Sequence, residues 1–396
     1  MYKIRTYNTL SEKGLKSFPS TYSVSPECDE PLGFILRSHK LHAEEVPESL
    51  IAVARAGAGV NNIPVSDYTS RGIVVFNTPG ANANAVKELV VASLILSSRD
   101  IFGGMQYVQQ LSEMDDAAAM GRILEKEKTR FAGREITGKI LGVIGLGAIG
   151  SMIANLAADL GMKVIGYDPA ISIEAAWQLS SRVERMETIE LLLKRADFVT
   201  LHVPAIATTK NLVDLNKLSL MKSSAKLLNF AREEIVCTPD LISALDNGEL
   251  GGYISDFPTP GLVGRDDVLL MPHIGASTAE AEENCAVMAA TQLMDFIENG
   301  NIVNSVNFPH TALSRGSGSR FTFCNNNVPK VLGNVLSVFA DANLNVVDMV
   351  NQSRNEIAYN IVDVEGDIGT NMTELVGHVE GVISVRSLGK QPKKAG

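Results

Sequence analysis

The sequence predicts an α/β chain of two doubly wound parallel-sheet domains followed by a smaller βαββαβ unit. Three observations carry this. Short apolar runs alternate with helix-like segments twice over, on either side of a polar, mostly helical stretch at 99–138. Each run is bounded by polar or turn residues, as buried parallel strands are when both sheet faces are covered. A Ser/Gly-rich break, HTALSRGSGS, then introduces a segment of different rhythm. The length of 396 residues is also more than one ordinary core accommodates.

In chain order, GFILRS, LIAVARAG and GIVVFNTP read as buried strands ending in turns. AVKELVVASLILSS, Ala85 to Ser98, has helix length and a wide apolar face, and carries the chain out of the first layer. After the break FAGREITGK come five more apolar runs: KILGVIG, MKVIGYD, DFVTLHVP, AKLLNFAR and GGYISD. A long helix from about Ala279 to Glu298 is closed by Asn299-Gly300. Beyond the break, RFTFCN is a strand, and Val328, Val331, Leu332, Val335, Leu336 and Phe339 form a helical stripe. LNVVDMVNQ and EIAYNIVDV are strands, MTELVGHVE a short helix and GVISVRSL a last strand. That order gives an antiparallel sheet with two helices on one face.

Thirty-five Lys and Arg against 45 Asp and Glu leave a net charge of −10. An acidic chain with no basic block argues against nucleic acid as partner, because phosphate binding needs clustered cations. The four cysteines, Cys28, Cys237, Cys285 and Cys324, have neither zinc-site nor disulfide-framework spacing, so no metal is expected. The N-terminus MYKIRTYNTL lacks the apolar run of a signal peptide, and no stretch is long and apolar enough to span a bilayer. No membrane association and a cytoplasmic location are the expectation.

The strongest local signal is GLGAIG, Gly145 to Gly150, which follows the strand KILGVI and opens a helix. Gly145 permits the tight turn, Gly147 lets the backbone approach a pyrophosphate, and Gly150 lets helix and strand pack closely. The amides of Ala148, Ile149 and Gly150 at the helix start then face the phosphates. The next strand ends in Asp168, where a carboxylate accepts both ribose hydroxyls and repels a 2′-phosphate, so NAD is expected over NADP. Three further segments lie at strand C-terminal ends, where open parallel sheets bind ligands: Asn229 to Arg232, Asp256 to Pro258, and Pro272 to Thr278. Hydride transfer between C–OH and C=O needs a proton acceptor, for which His273 is suited, and a cation for a carboxylate, for which Arg232 is suited. His202 also stands at a strand end, either against a cofactor or capping its own loop. Lys87 sits in the first turn of a helix, where a cation is electrostatically unhelpful; it is either a surface lysine or a functional one.

GLGAIG, YDP, LHVP, NFAR and PHIGAST, in this order, resemble the D-isomer-specific 2-hydroxyacid dehydrogenase family. ARAGAGVNNI and NTPGANANAVKELV resemble its branch acting on 3-phospho-D-glycerate, and the C-terminal unit resembles an ACT domain. The resemblance implies a flavodoxin-like substrate domain at 1–98 and 278–305, with a Rossmann NAD domain at 99–277 inserted in it. A linker at 306–319 and an ACT domain at 320–394 follow. It implies Arg232 as substrate-orienting residue, His273 as acid–base catalyst, and Arg55 with the Ala58 and Gly59 amides as an anion cradle, to which Lys87 is added. Phe230, Ala231, Arg232, Asp256, His273, Gly275 and Ala276 would line the cofactor. The implied reaction is NAD-dependent oxidation of 3-phospho-D-glycerate to 3-phosphohydroxypyruvate, the entry to serine synthesis, in a homodimer or homotetramer. L-serine would act as effector at Asn327 and Asn345. The alternatives are reduction of hydroxypyruvate, glyoxylate or 2-oxoglutarate, or NAD sensing without turnover.

The chain departs from the family pattern in three places. Glu233-Glu234 follow the arginine where Gly-Gly or Gly-Glu is usual. The run Asp256-Phe257-Pro258-Thr259-Pro260 lacks the Glu that pairs with the catalytic His, leaving Asp266 and Asp267 as replacements. Pro329-Lys330 stand where an ACT domain commonly has Pro-Gly.

Overall fold

The computed structural model describes residues 1–366 and 368–390. It divides into two compact units, one made of Met1–Asn82 with the chain from Ala279 onward, the other of Ala83–Thr278.

The first unit begins with β1 (Tyr2–Thr6), β2 (Tyr22–Ser25), β3 (Gly33–Leu36), β4 (Ala52–Arg55) and β5 (Val74–Phe76). They form a parallel sheet in the order β2-β1-β3-β4-β5, the flavodoxin order. Side chains alternate along each strand. Phe34, Leu36, Val53 and Val75 enter a core with Tyr68. Ile35, Ala52, Ala54, Val74 and Phe76 enter another, with Leu293 and Phe296 of the helix Ala279–Asn299. Covering both faces is why these strands read as continuous apolar runs.

The second unit holds β6 (Ile140–Ile144), β7 (Lys163–Tyr167), β8 (Val183–Arg185), β9 (Phe198–Leu201), β10 (Lys226–Asn229), β11 (Gly252–Ser255) and β12 (Val268–Leu270). Their order is β12-β11-β10-β9-β6-β7-β8, all parallel, which is the doubly wound Rossmann order with one added strand. The five expected apolar runs are β6, β7, β9, β10 and β11. The two edge strands, β8 and β12, are each three residues long and give no periodicity to read. The helix Ala83–Ser98 belongs to this unit rather than to the first. Its stripe Val86, Val90 and Leu94 packs with Leu141, Val143 and Ile153, which draws the boundary to 82/83 instead of 98/99. The helices Ile101–Gln109 and Ala117–Glu127 start on Asp100 and Asp116 caps and bury no residue.

Back in the first unit, β13 (Ser319–Asn326), β14 (Asn345–Arg354), β15 (Ile357–Glu365) and β16 (Val382–Lys390) form an antiparallel sheet ordered β14-β15-β13-β16. Helices Val331–Asp341 and Met372–Gly377 complete the βαββαβ order. The expected end of this domain at 394 lies outside the described residues. One sheet face buries Phe321, Phe323, Val362 and Val364 under Val335, Phe339 and Met372. The other face is covered as well: Cys324, Ile357, Tyr359 and Ile361 share a core with Phe296, Ile297, Ile302 and Phe308. The segment expected as a linker is accordingly anchored, with Phe308 and Thr311 buried and Thr311 in a two-hydrogen-bond bridge to Ile302.

Arg320 locks this junction. It is fully buried and forks onto Asp363, with Nε and Nη2 each 2.7 Å from a carboxylate oxygen. Nη1 donates to the carbonyls of Asn299 and Leu313, and Nη2 also to that of Ser314. All five guanidinium N–H groups thus have acceptors. We expect Arg320→Ala, which strands a buried carboxylate, to cost about 3–5 kcal/mol in urea unfolding. The double change Arg320→Met with Asp363→Leu should recover most of it; a single variant of wild-type stability would deny the lock.

Candidate dinucleotide and catalytic site

The glycine loop shows three glycines with three different reasons. Gly145 has φ +90°, and a Cβ there would meet the His202 carbonyl oxygen at 2.5 Å. A Cβ on Gly150 would lie 1.9 Å from the Gly145 carbonyl oxygen, so helix and turn are in direct backbone contact. Gly147 has φ −69°, and a Cβ there would meet nothing within 4 Å. Neither strain nor protein packing requires a glycine at 147. The open space beside it, at the start of the helix Ala148–Asp159 with no side-chain cap, fits the close approach of a dinucleotide pyrophosphate. Asp168 steadies the loop: its carboxylate accepts from the amides of Leu146 (2.8 Å) and Ala170 (2.9 Å) at the end of β7.

Arg232, Asp256 and His273 follow the C-terminal ends of β10, β11 and β12, three adjacent strands. Buried Asn229 holds the first turn by donating from Nδ2 to the Arg232 carbonyl (2.8 Å) and accepting from the Ala231 amide (3.2 Å). The Arg232 side chain donates Nη1 to the Ala231 carbonyl at 2.6 Å. Among the described residues, no carboxylate lies within ion-pairing distance of it, despite the neighbouring Glu233 and Glu234. Phe230 and Ala231, which precede it, are buried.

Asp256, expected against the cofactor, is buried with both oxygens engaged: Oδ1 accepts from the Ile274 amide at 2.7 Å and Oδ2 from the Gly275 amide at 2.6 Å. These bonds pin the turn after His273, whose own backbone is left-handed at φ +57°. A non-glycine residue in that region needs such over-determination, and the constraint aims its ring. The imidazole is exposed and stands 4.9 Å from the Phe257 ring. Among the described residues no carboxylate hydrogen-bonds to it. Asp267 does not replace the missing Glu, because Arg265 grips it bidentately at 2.8 and 2.9 Å and holds its carboxyl below the usual range. Asp266 is exposed. Gly275 is buried and Ala276 follows it in the same turn. Sequence reading missed the Asn229 and Asp256 clamps, since a buried polar residue at a strand end looks the same whether it faces ligand or backbone.

His202 has turned inward. Its Nε2 lies 2.8 Å from the Thr200 hydroxyl, its Nδ1 is buried with no hydrogen-bond partner among the described residues, and burial pushes its pKa down to about 3.

In the first unit, the loop after β4 turns its carbonyls into the protein. The Gly57 carbonyl accepts from the Thr78 amide (3.1 Å), that of Ala58 from Asn77 Nδ2 (2.7 Å), and that of Gly59 from Arg55 Nη1. Arg55 Nε is held by the Arg37 carbonyl at 2.9 Å. With their carbonyls engaged, Ala58 and Gly59 keep amides without protein acceptors among the described residues, the arrangement an anion cradle requires. Lys87, in the second unit, is half-buried and donates to Asn84 Oδ1 at 2.5 Å. Asn327 and Asn345 are exposed and far apart. Asn326, beside Asn327, pairs with Ile357, whereas Asn345 pairs with Glu365. Eight strand residues separate those two registers, about 26 Å. Among the described residues, no group of three His, Cys, Asp or Glu is placed to hold a metal ion, and no helix is long and apolar enough to cross a membrane.

A glycine turn at the start of a doubly wound sheet, an acid ending its second strand, and an arginine and histidine following two strands that flank a third define an NAD-dependent oxidoreductase. Residues 103–275 match the family model of the D-isomer specific 2-hydroxyacid dehydrogenase NAD binding domain. The chain is 34% identical over 371 residues to D-3-phosphoglycerate dehydrogenase of Haemophilus influenzae, covering 90% of this chain and 86% of that one. It is 32% identical to the protein of that name from Escherichia coli K12, covering 89% and 86%. Among solved structures, the NAD+-bound 3-phosphoglycerate dehydrogenase of Entamoeba histolytica superposes with a TM-score of 0.60 at 26% identity, over 77% of this chain and 98% of that one. The chain belongs to the D-isomer-specific 2-hydroxyacid dehydrogenase family, and it is an NAD-dependent dehydrogenase.

Two outcomes test the site. Gly147→Ala should leave unfolding free energy within about 0.5 kcal/mol of wild type while weakening NAD binding roughly tenfold by calorimetry, as a Cβ enters the phosphate's space. Gly150→Ala should instead destabilise the fold by about 1–3 kcal/mol through overpacking; the reverse pattern would misplace the pyrophosphate. For His202, an unfolded chain takes up a proton below the ordinary 6.5, and the folded one only near 3. The stability contributed by the neutral ring is therefore complete above pH 6.5 and is lost as pH falls toward 3. His202→Gln should flatten the decline in unfolding free energy between those values, and an unchanged slope would refute it.

Proposed function

We propose that this protein oxidises 3-phospho-D-glycerate at C2 with NAD, forming 3-phosphohydroxypyruvate at the entry to L-serine synthesis. The observation that carries it is the pair at the ends of β10 and β12, on either side of β11: an Arg232 guanidinium with no acidic partner among the described residues, and a His273 held in a left-handed turn by Asp256. Arg232 binds the substrate carboxylate and orients C2, using the planar fork suited to carboxylates. His273 accepts the C2 hydroxyl proton. When bound, NAD supplies the hydride acceptor. The phosphate is assigned to Arg55, the Ala58 and Gly59 amides, and Lys87. Asp168 is assigned to the adenosine ribose, and Phe230, Ala231, Gly275 and Ala276 to the nicotinamide half. Asp256 acts by positioning His273, and the relatives' names support the substrate.

The working form is proposed to be a cytoplasmic homodimer or homotetramer. Phe102 (61% exposed) and Met105 (63%) lie uncovered on the helix Ile101–Gln109, an apolar surface suited to a second copy. The C-terminal sheet is assigned as an ACT domain that binds L-serine. Asn327 and Asn345 are too far apart in one chain to hold the same serine, so a shared site needs two copies.

NADH absorbance with the purified full chain tests the activity. Turnover of 3-phospho-D-glycerate is expected to exceed that of 2-hydroxy acids without phosphate, and L-serine to reduce it. His273→Asn should lower kcat/KM by about 10²–10⁴, whereas Asp266→Asn and Asp267→Asn should leave it unchanged. Arg55→Gln should raise KM for the phosphorylated substrate alone. No preference for the phosphorylated acid would sink the substrate assignment, and full activity in His273→Asn the catalytic one.

A further inference from the structure

Within the first unit, where the end of the C-terminal sheet meets the segment after the helix Ala279–Asn299, the surface folds into an open crevice of about 510 Å³. Its lining includes Asn304, Phe308, Pro309, His310, Gln352 and Arg354, and no acidic side chain, in a chain whose net charge is −10. Gln352 and Arg354 are two apart on β14, so they share a sheet face. They pair with Tyr359 and Ile357, whose side chains lie in the core beneath, so that face is turned toward the crevice.

Arg354 is the distinctive group. Its Nη1 donates to the carbonyls of Ser305 (3.0 Å) and Phe308 (3.4 Å), which holds the guanidinium over the crevice. Among the described residues, Nε and Nη2 have no protein acceptor, and no carboxylate lies within ion-pairing distance. The contrast with Arg320 is direct, since there every N–H is used inside the protein. A planar cation held in place by backbone, with unused donors, beside a histidine and an amide over a buried apolar floor, is an arrangement for an anion.

We propose that this crevice binds a small polyanion, one bearing a phosphoryl group or several carboxylates, at a site separate from the catalytic one. It lies where the C-terminal sheet is joined to the segment carrying Phe308, so its occupant would contact both. The proposal does not rest on the substrate assigned above.

Calorimetric titration of the full chain with inorganic phosphate, and in parallel with citrate, tests it and tells the two anion chemistries apart. At least one probe should bind saturably. Gln352→Glu, nearly isosteric and placing a carboxylate in the crevice, should weaken that component at least tenfold, and Arg354→Gln likewise. Arg232→Gln and Arg55→Gln should leave it in place, so loss of the catalytic assignment and loss of this one are separable. Absence of saturable binding to either probe would overturn the proposal. So would a component insensitive to Gln352→Glu, or one removed by Arg232→Gln or Arg55→Gln.

Discussion

The buried fork between Arg320 and Asp363 sets the architecture of the first unit. An ion pair at 0% and 2% side-chain exposure is tolerable only when every remaining donor is satisfied. Here the remaining donors reach the end of the long helix and the segment leading into the C-terminal sheet. Those bonds hold the sheet against Phe296 and Phe308, and Tyr359 adds another through its hydroxyl to the Gly300 carbonyl at 2.8 Å. The C-terminal domain is therefore part of the core around the helix Ala279–Asn299 rather than a module on a tether.

In the second unit, the buried polar side chains of Asn229 and Asp256 are spent on backbone rather than left for ligand. Asn229 and Asp256 each close a strand-end turn, and Asp168 closes the glycine loop against β7. Arg232 and His273, by contrast, have no acidic partner among the described residues, as the chemistry proposed for them needs. Pre-organisation of this kind places reacting groups before substrate arrives. It also explains how His273 is positioned without the glutamate usual in the family: the backbone on its C-terminal side is held by a carboxylate.

The parallel-sheet rhythm, the glycine loop, Asp168 and the order of the strand-end motifs were legible in the amino-acid sequence. Buried parallel strands, tight turns and helix starts impose local residue requirements, and local requirements survive in one dimension. The edge strands β8 and β12 were not legible, because three half-buried residues carry no period. The helix Ala83–Ser98 was legible as a helix but not as a member of the second unit, since an apolar stripe does not name its partner.

The sequence alone determined the fold class and placed the glycine loop after β6 and the candidate arginine and histidine at strand ends. Only the tertiary structure decided which polar groups are consumed internally. Asp256 and Arg320 have donors or acceptors supplied from segments distant in the chain, whereas Arg232 and Arg354 use only Nη1 on backbone carbonyls and keep other donors free of protein acceptors among the described residues. Hydrogen-bond satisfaction depends on what lies within about 3 Å in space, and sequence spacing does not encode that distance.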